Sequence, residues 1–242
     1  MSTPQYQLLY WPTIPGRGEY IRLAFEVTGT PYIDTQTVPA ITSLLAAGST
    51  QLGNNPPPFA PPMLQDGPLL ISQTSNILCY LGERLNLAPK DDTKYHVHQI
   101  ACTALDYSDE VHNVHHPVGT GLYYEDQKEE ALRAAKEFTG TRVAKFWGWF
   151  ERVLEKNAKD NQGSEWMVGK ELSYADLVVW QVVDGTKFAF PKAAKRVLED
   201  CPLLVEHYER VKGLERVKSY LESERRLKYS NGIFRYYEEL DL

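Results

Sequence analysis

The sequence predicts two domains of different class, an α/β domain followed by an all-helical one. Apolar runs of strand length alternate with helical patterns up to residue 85, and every strong pattern after residue 94 is helical. Between them, residues 86–93 are rich in Pro, Asp and Lys and have little to bury. We therefore predict an α/β domain over residues 1–85, a linker over 86–93 and a helical bundle domain over 94–242.

The first strand and the first helix are the stretch from which we predict the position of the functional site. Residues 6–11 form a nearly continuous apolar run, which favours a strand covered on both faces. A loop with Pro and Gly over residues 12–16 ends it, and residues 19–28 carry apolar side chains at helical spacing. Tyr10 is thus predicted at the end of a buried strand, just before a helix. Open α/β sheets bind small ligands at such positions.

Turn residues and periodicity predict the remaining elements of the first domain. Residues 32–38 favour a second strand, whereas residues 39–53 leave helix and loop open. Five prolines within residues 56–62 exclude a helix or a central strand. An Asp-Gly pair at 66–67 between two apolar runs predicts a β-hairpin, and residues 72–85 then predict a helix that Ser or Thr could cap.

The second domain is predicted to be helical throughout. The predicted helices span residues 95–112, 125–161, 172–189, 192–200 and 203–224. Gly140 is expected to bend the second of them. Ser173 and Asp176 form a capping-box pattern at the start of the third, which indicates a folding signal and not catalysis.

Composition and charge exclude several functional classes. The formal net charge of -6 argues against a nucleic-acid partner, and no apolar run approaches the ~18 residues that cross a bilayer. The first residues lack the basic and apolar regions of a signal peptide. Cys79, Cys102 and Cys201 are widely spaced and form no CxxC motif. We therefore expect a cytoplasmic protein without membrane or nucleic-acid partners, whose cysteines act as small apolar residues.

Four segments, taken in order, resemble the cytosolic glutathione transferases. They are LLYWP…GRGEYIRLAF, PPMLQDG, ISQTSNILCYLGERLNL and WMVGKELSYADLVV. The match runs from about residue 6 to about residue 221. The resemblance is closest to the tyrosine-type classes (mu, pi, alpha and sigma). It implies a thioredoxin-like first domain with a mixed four-stranded sheet, a second domain with the electrophile-site and dimer helices, and a homodimer.

The resemblance also implies an activity, the attack of a glutathione thiolate on small apolar electrophiles. Glutathione would be the co-substrate, with no other cofactor. Tyr10 matches the catalytic tyrosine, whose hydroxyl donates to the sulfur, and Arg17 matches a basic residue near the thiolate. A free thiol has a pKa of ~8.5, and one charge-assisted hydrogen bond of roughly 1.5–3 kcal/mol lowers it by about 1–2. A ligand-binding relative with little turnover and a glutathione-dependent isomerase remain alternatives.

Further site residues are implied in the same way. Trp11 matches the aromatic residue that lines the sulfur site. Gln73 and Thr74 match the pair that holds the γ-glutamyl end, and their predicted position at a helix N-terminus favours a carboxylate. Asp106 matches an acid that reaches the γ-glutamyl ammonium bound to the partner subunit.

The proline segment before the third strand departs from the family pattern. Pro62 matches the cis-proline of the family, and the residue before it normally pairs its N–H and C=O with the cysteinyl unit of glutathione. Pro61 has no N–H, so one contact is missing or the register differs by one. No counterpart is evident for the Trp and Lys that hold the glycine carboxylate.

The histidines at 112, 115 and 116 raise the question of a metal site. No acidic or Cys residue lies at ligand spacing, so we predict no metal and either a polar rim or a solvent-facing surface. By resemblance, His112 and His116 occupy the region of the second substrate. Phe234, in the C-terminal tail, could fold over that pocket or merely cover the helical domain.

Overall fold

A computed structural model describes residues 5–242. The chain forms two compact units, one of residues up to Ala88 with Leu214–Lys228, the other of Pro89–Gly213 with Tyr229–Leu242. The first unit thus includes a segment from near the C-terminus. The predicted boundaries at residues 85 and 94 stay predictions, and the first four residues of the predicted α/β domain lie outside the described part.

The first unit contains a four-stranded sheet with the order β2-β1-β3-β4. Its strands are β1 (Tyr6–Leu9), β2 (Tyr32–Thr35), β3 (Met63–Asp66) and β4 (Leu69–Ser72). β1 runs parallel to β2 and antiparallel to β3, and β3 runs antiparallel to β4. The mixed sheet predicted for this part of the chain is confirmed.

Three α-helices lie between residues 5 and 85 in this unit. They are α1 (Gly18–Thr28), α2 (Val38–Leu45) and α3 (Thr74–Arg84). α1 ends at Gly29, which has a φ of 68° and donates its N–H to the carbonyl of Glu26. The ambiguous stretch after β2 is thus partly helical.

The hairpin turn lies one residue later than predicted. Asp66 is the last residue of β3 and pairs with Leu69, so the turn consists of Gly67 and Pro68. The Asp66 carboxylate accepts a hydrogen bond of 2.7 Å from the Tyr80 hydroxyl, which holds this residue in the strand. Gly67 provides the positive φ, 57°, that the turn requires. The predicted Ser or Thr cap of α3 is absent, since Gln73 occupies the N-cap position and makes no capping side-chain bond.

The second unit is helical, as predicted. Its helices are α4 (Lys94–His115), α5 (Lys128–Glu137), α6 (Val143–Asp160), α7 (Tyr174–Ala189), α8 (Pro191–Leu198) and α9 (Pro202–Gly213). Within residues 5–242, no helix combines the length and the apolar character needed to cross a membrane.

Two predicted long helices are interrupted. A π-helical segment, Phe138–Arg142, separates α5 from α6, and Gly140 lies at its centre. The helix predicted over 203–224 was wrong as a single element. Leu214, with a ψ of 128°, separates α9 from α10 (Glu215–Leu221), and α10 belongs to the first unit.

The predicted capping box at the start of α7 is confirmed and is part of a larger buried network. One Asp176 oxygen accepts hydrogen bonds from the N–H and the hydroxyl of Ser173, at 2.8 and 2.7 Å. The other accepts the Met167 N–H at 2.8 Å and lies 2.9 Å from Nε2 of His207. Asp176 therefore joins the helix start to the loop before it and to α9.

We expect Asp176→Ala to destabilise the second unit much more than Ser173→Ala. The first change leaves several buried donors without an acceptor and should cost about 3–5 kcal/mol. The second removes a single cap and should cost about 1 kcal/mol. Denaturant unfolding followed by circular dichroism measures both. Equal losses would show that the bonds to Met167 and His207 add no stability.

Candidate functional site

The register of the sheet brings three separate chain segments to one edge. Leu9 at the end of β1 lies opposite Met63, and Met63 lies opposite Ser72 at the end of β4. The neighbouring residues along the chain at this edge are Tyr10, Pro62 and Gln73. Adjacent strands are ~4.8 Å apart, so this edge spans about 10 Å from the first segment to the third. The structure thus groups predicted site residues that lie far apart in sequence.

Tyr10 is a buried phenol whose oxygen already accepts a hydrogen bond. The backbone N–H of Arg17 donates to the Tyr10 hydroxyl at 2.8 Å. Burial raises the pKa of Tyr10 above its ordinary value of 10.0, while the Arg17 N–H bond and the charges of Arg17 and Arg22 act in the opposite direction. The phenol is therefore neutral at neutral pH. Its own proton meets no acceptor within residues 5–242 and is available to a ligand.

Two glycines allow the loop to close over the Tyr10 ring. A Cβ on Gly16 would lie 2.3 Å from the Tyr10 hydroxyl, and one on Gly18 would lie 2.7 Å from the Cγ atom of the ring. Gly16 also has a positive φ of 46°. From the sequence, Gly16 was predicted only to help end the first strand. The G-x-G spacing around Arg17 was the signal that could have indicated the close approach of this loop to Tyr10.

Arg22 lies beneath this loop and is fully buried. It donates from Nη1 to the carbonyl of Pro15 at 3.1 Å, and its charged group lies 5.8 Å from the centre of the Tyr10 ring. Burial lowers the pKa of Arg22, but Glu19 and Asp34 raise it to a net value above the ordinary one. Arg22 therefore stays charged. Its place in the predicted helix over residues 19–28 gave no sign that Arg22 supports the loop.

The same edge of the sheet also carries Trp11, Pro61 and Pro62. Trp11 is partly buried and packs against an apolar cluster formed by Leu9, Ile41, Leu44, Met63 and Leu70. Pro61 and Pro62 are both buried, are joined by a cis peptide bond and directly precede β3. Because Met63 pairs with Leu9, Pro61 lies close to the edge of the sheet at which Tyr10 lies. As a proline, it offers no backbone N–H there.

The N-terminus of α3 carries two unfavourable features. Gln73, whose side chain is exposed, has a φ of 71°, which is uncommon for a residue other than glycine. Thr74 is only 2% exposed, and its hydroxyl has no hydrogen-bond partner among the described residues. Buried polar groups are normally paired. Both features lie where the first N–H groups of a helix point out of the helix.

The histidine cluster lies in the second unit and is less exposed than predicted. His115 Nε2 lies 2.9 Å from the carbonyl of Ile233, and its Nδ1 lies 2.5 Å from Nδ1 of His116. Both rings are buried, so a solvent-facing surface was wrong for them, because the C-terminal tail covers the cluster. Burial lowers the pKa of His115 to about 3, so its ring is neutral. In the described part of the chain, no group of three or more His, Cys, Asp or Glu could hold a metal ion.

The remaining predicted residues also lie in the second unit. Asp106 is exposed on α4, and His112 is half-buried on the same helix. Phe234 is 3% exposed and packs on α7, where a Cβ on Gly185 would lie 2.4 Å from its ring. Of the two alternatives for the tail, this packing corresponds to covering the helical unit.

We expect Gly16→Ala to disturb the Tyr10 site more than its backbone conformation alone would explain. The matched control is Gly48→Ala, because Gly48 also has a positive φ, 72°, but has nothing within 4 Å of a Cβ. The control should lose about 1 kcal/mol of unfolding free energy, and Gly16→Ala about 1–3 kcal/mol more. Denaturant unfolding measures both variants. Equal losses would mean that the contact with the Tyr10 hydroxyl is easily relieved.

Comparison with known proteins places this architecture among its relatives. The family profile described as glutathione S-transferase, C-terminal domain, matches residues 112–224. A glutathione S-transferase of Plasmodium falciparum is 26% identical over 216 residues, which cover 88% of this chain and 94% of the relative. Glutathione S-transferase P 1 of Xenopus laevis is 27% identical over 231 residues, covering 93% and 95%.

A solved structure shows the same fold. The pi-class glutathione S-transferase of Onchocerca volvulus superposes with a TM-score of 0.68 over 90% of this chain and 92% of its own, at 21% identity. Further relatives are named as alpha and mu glutathione S-transferases. The chain therefore has the fold of the cytosolic glutathione transferases and is similar to them in sequence over most of its length.

Proposed function

We propose that this protein is a glutathione transferase in which Tyr10 donates a hydrogen bond to the glutathione sulfur and favours its thiolate. The relatives that match most of the chain are named glutathione S-transferases. The observation that carries the proposal is the state of the phenol, which is neutral, buried and already accepts the Arg17 N–H. An oxygen whose acceptor position is occupied offers its proton to an anion.

The dimensions of the sheet edge suit a tripeptide. An extended tripeptide spans about 10 Å, and the edge from Tyr10 past Pro62 to Gln73 crosses two strand spacings of ~4.8 Å. The sulfur would lie at Tyr10 beside Trp11, and the γ-glutamyl end would lie at the N-terminus of α3.

At that helix terminus, the γ-glutamyl carboxylate would satisfy groups that are unpaired without it. The Thr74 hydroxyl has no partner among the described residues, and the helix dipole favours a negative charge there. Gln73, with its exposed side chain, would add a donor from the same turn. The Pro61 carbonyl would accept from the cysteinyl N–H, while the reciprocal bond is missing because Pro61 has no N–H.

The chemistry then follows from thiol activation and positioning. A hydrogen bond from Tyr10 worth roughly 1.5–3 kcal/mol lowers the pKa of a bound thiol by about 1–2, and the charge of Arg17 acts in the same direction. The thiolate attacks an electrophilic carbon held next to it. We further propose a cytoplasmic homodimer in which Asp106 reaches the γ-glutamyl group of the partner's site. His112 and His116 would contribute to the site of an apolar electrophile.

We expect Tyr10→Phe to lower kcat/KM for conjugation of a generic aromatic electrophile about 10- to 100-fold at pH 7. The loss should shrink as pH rises, because free ionisation of the thiol replaces the missing donor. In the wild type the pKa of Tyr10 lies above 10.0, so the activity should rise with pH up to about pH 9 without a descending limb. Steady-state kinetics from pH 6 to about pH 9 measure this.

Tyr6→Phe is the matched control, since Tyr6 is a buried tyrosine in β1, the strand that ends just before Tyr10. Its activity should stay within about twofold of the wild type. Unchanged activity in Tyr10→Phe, or an equal loss in both variants, would remove Tyr10 from the mechanism.

We expect Thr74→Val to weaken glutathione binding without loss of protein stability. Removing a buried hydroxyl that has no partner should leave the free energy of unfolding equal or higher. Loss of its bond to the carboxylate should raise the KM for glutathione about three- to tenfold. Thr74→Ser keeps the hydroxyl and should restore the KM. A stability loss with unchanged KM would mean that the hydroxyl serves the protein itself.

A further inference from the structure

We propose that Tyr220 and Arg226 are positioning residues for Tyr10. They would act through a buried ionic network formed by Glu19 and Arg22, which holds the loop over the phenol. Its catalytic consequence rests on the function proposed above. The structural part concerns only the first unit, which contains all of these residues.

Arg22 holds the loop from below. Its Nη1 atom donates to the Pro15 carbonyl at 3.1 Å and to the Glu19 carboxylate at 3.2 Å. The other edge of the guanidinium donates to both oxygens of Asp34, at 2.8 and 3.4 Å. Arg22 therefore ties the loop to α1 and to β2. Two residues after Pro15, the Arg17 N–H donates to the Tyr10 hydroxyl.

Glu19 divides its two oxygens between the loop and the C-terminal segment. One oxygen pairs with Arg22. The other accepts a hydrogen bond of 2.7 Å from the Tyr220 hydroxyl, 201 residues away in sequence, and forms an ion pair with Arg226. Glu19, Arg22 and Tyr220 are fully buried, so water cannot replace a lost partner.

Removing one partner from such a network disturbs the others. A buried carboxylate that loses a donor is left under-satisfied, and it shifts toward the cations that remain. Arg22 then divides its donors differently between Glu19 and Pro15. Because hydrogen bonds weaken steeply with distance and angle, a small shift of the loop lessens the bond from Arg17 to Tyr10. The C-terminal segment would in this way set the strength of the phenol as a donor.

The chain offers a matched control beside Arg226. Arg225 pairs with Glu26 on the same helix α1 at 2.8 Å, but its side chain is 64% exposed and does not contact Glu19. Its guanidinium also lies 6.0 Å from the centre of the Tyr220 ring. Arg225→Gln therefore loosens the same segment and removes this ring contact, but it leaves the Tyr220 hydrogen bond and the Arg226 ion pair of Glu19 in place. The test variants are Tyr220→Phe and Arg226→Gln, and Arg226→Lys is the conservative variant that keeps the charge.

The first measurement is amide hydrogen exchange at Arg17 in the full chain without glutathione. Tyr220→Phe and Arg226→Gln should accelerate it about tenfold, while Arg225→Gln and Arg226→Lys should stay within about threefold of the wild type. Unfolding curves give the global stability, against which the local change is corrected. Unchanged exchange at Arg17 in both test variants would overturn the positioning role, whatever the activity does.

The second measurement is the pH profile of kcat/KM and the ionisation of the enzyme-bound glutathione thiol, followed by thiolate absorbance. In the test variants the thiol pKa should rise toward the free value of ~8.5, with kcat/KM at pH 7 lower by about three- to tenfold and a smaller change in KM. Faster exchange at Arg17 with an unchanged thiol pKa would overturn the catalytic part. A wild type that binds no glutathione would refute the proposed function, while the exchange data would still decide the positioning role.

Discussion

The candidate site depends on one hydrogen bond, from the backbone N–H of Arg17 to the hydroxyl oxygen of Tyr10. Burial and this bond act on the phenol in opposite directions, because burial disfavours the phenolate and the N–H stabilises it. Burial is the larger effect, so the proton stays on the oxygen. The N–H still draws electron density from that oxygen, which makes the phenol a better donor to an anion than a tyrosine bonded only to water.

Glycine leaves the backbone free to adopt many conformations. The loop that contains Gly16 and Gly18 therefore cannot by itself hold the bond from Arg17 to Tyr10 at a fixed distance. The buried ion pairs of Arg22 beneath the loop supply that constraint. Buried ion pairs add little net stability because desolvation offsets their attraction. Their presence directly below Tyr10 is therefore better explained by the fixed geometry of the loop than by stability of the unit.

Patterns with a local cause were predictable from the sequence. The apolar run of β1, the helical spacing of α1 and the capping box of α7 each depend on residues a few positions apart, and each lies close to its predicted place. The end of β1 also identified Tyr10 as an edge residue, and the predicted helix over residues 72–85 placed Gln73 near a helix N-terminus. Features that depend on distant contacts were missed. His115 is buried only because Ile233 and its neighbours cover it, 118 residues later. The hydrogen bond between Glu19 and Tyr220 joins residues 201 positions apart, so no periodicity of the sequence predicts it. In the sequence, Gly213 is the sign of the helix break at Leu214 that precedes α10.

The two features at the start of α3 have a common consequence for the unliganded protein. A positive φ at a residue such as Gln73 costs about 1–3 kcal/mol, and an unpaired buried hydroxyl such as that of Thr74 costs a similar amount. Within the described residues, no hydrogen bond to the Thr74 hydroxyl offsets these two costs. A carboxylate at this helix terminus would accept from the hydroxyl and from the first N–H groups of α3, and it would recover the second cost on binding. The same arrangement that destabilises this edge would therefore raise its affinity for an anionic end group, as expected of a preformed site and not of a surface that folds around its ligand.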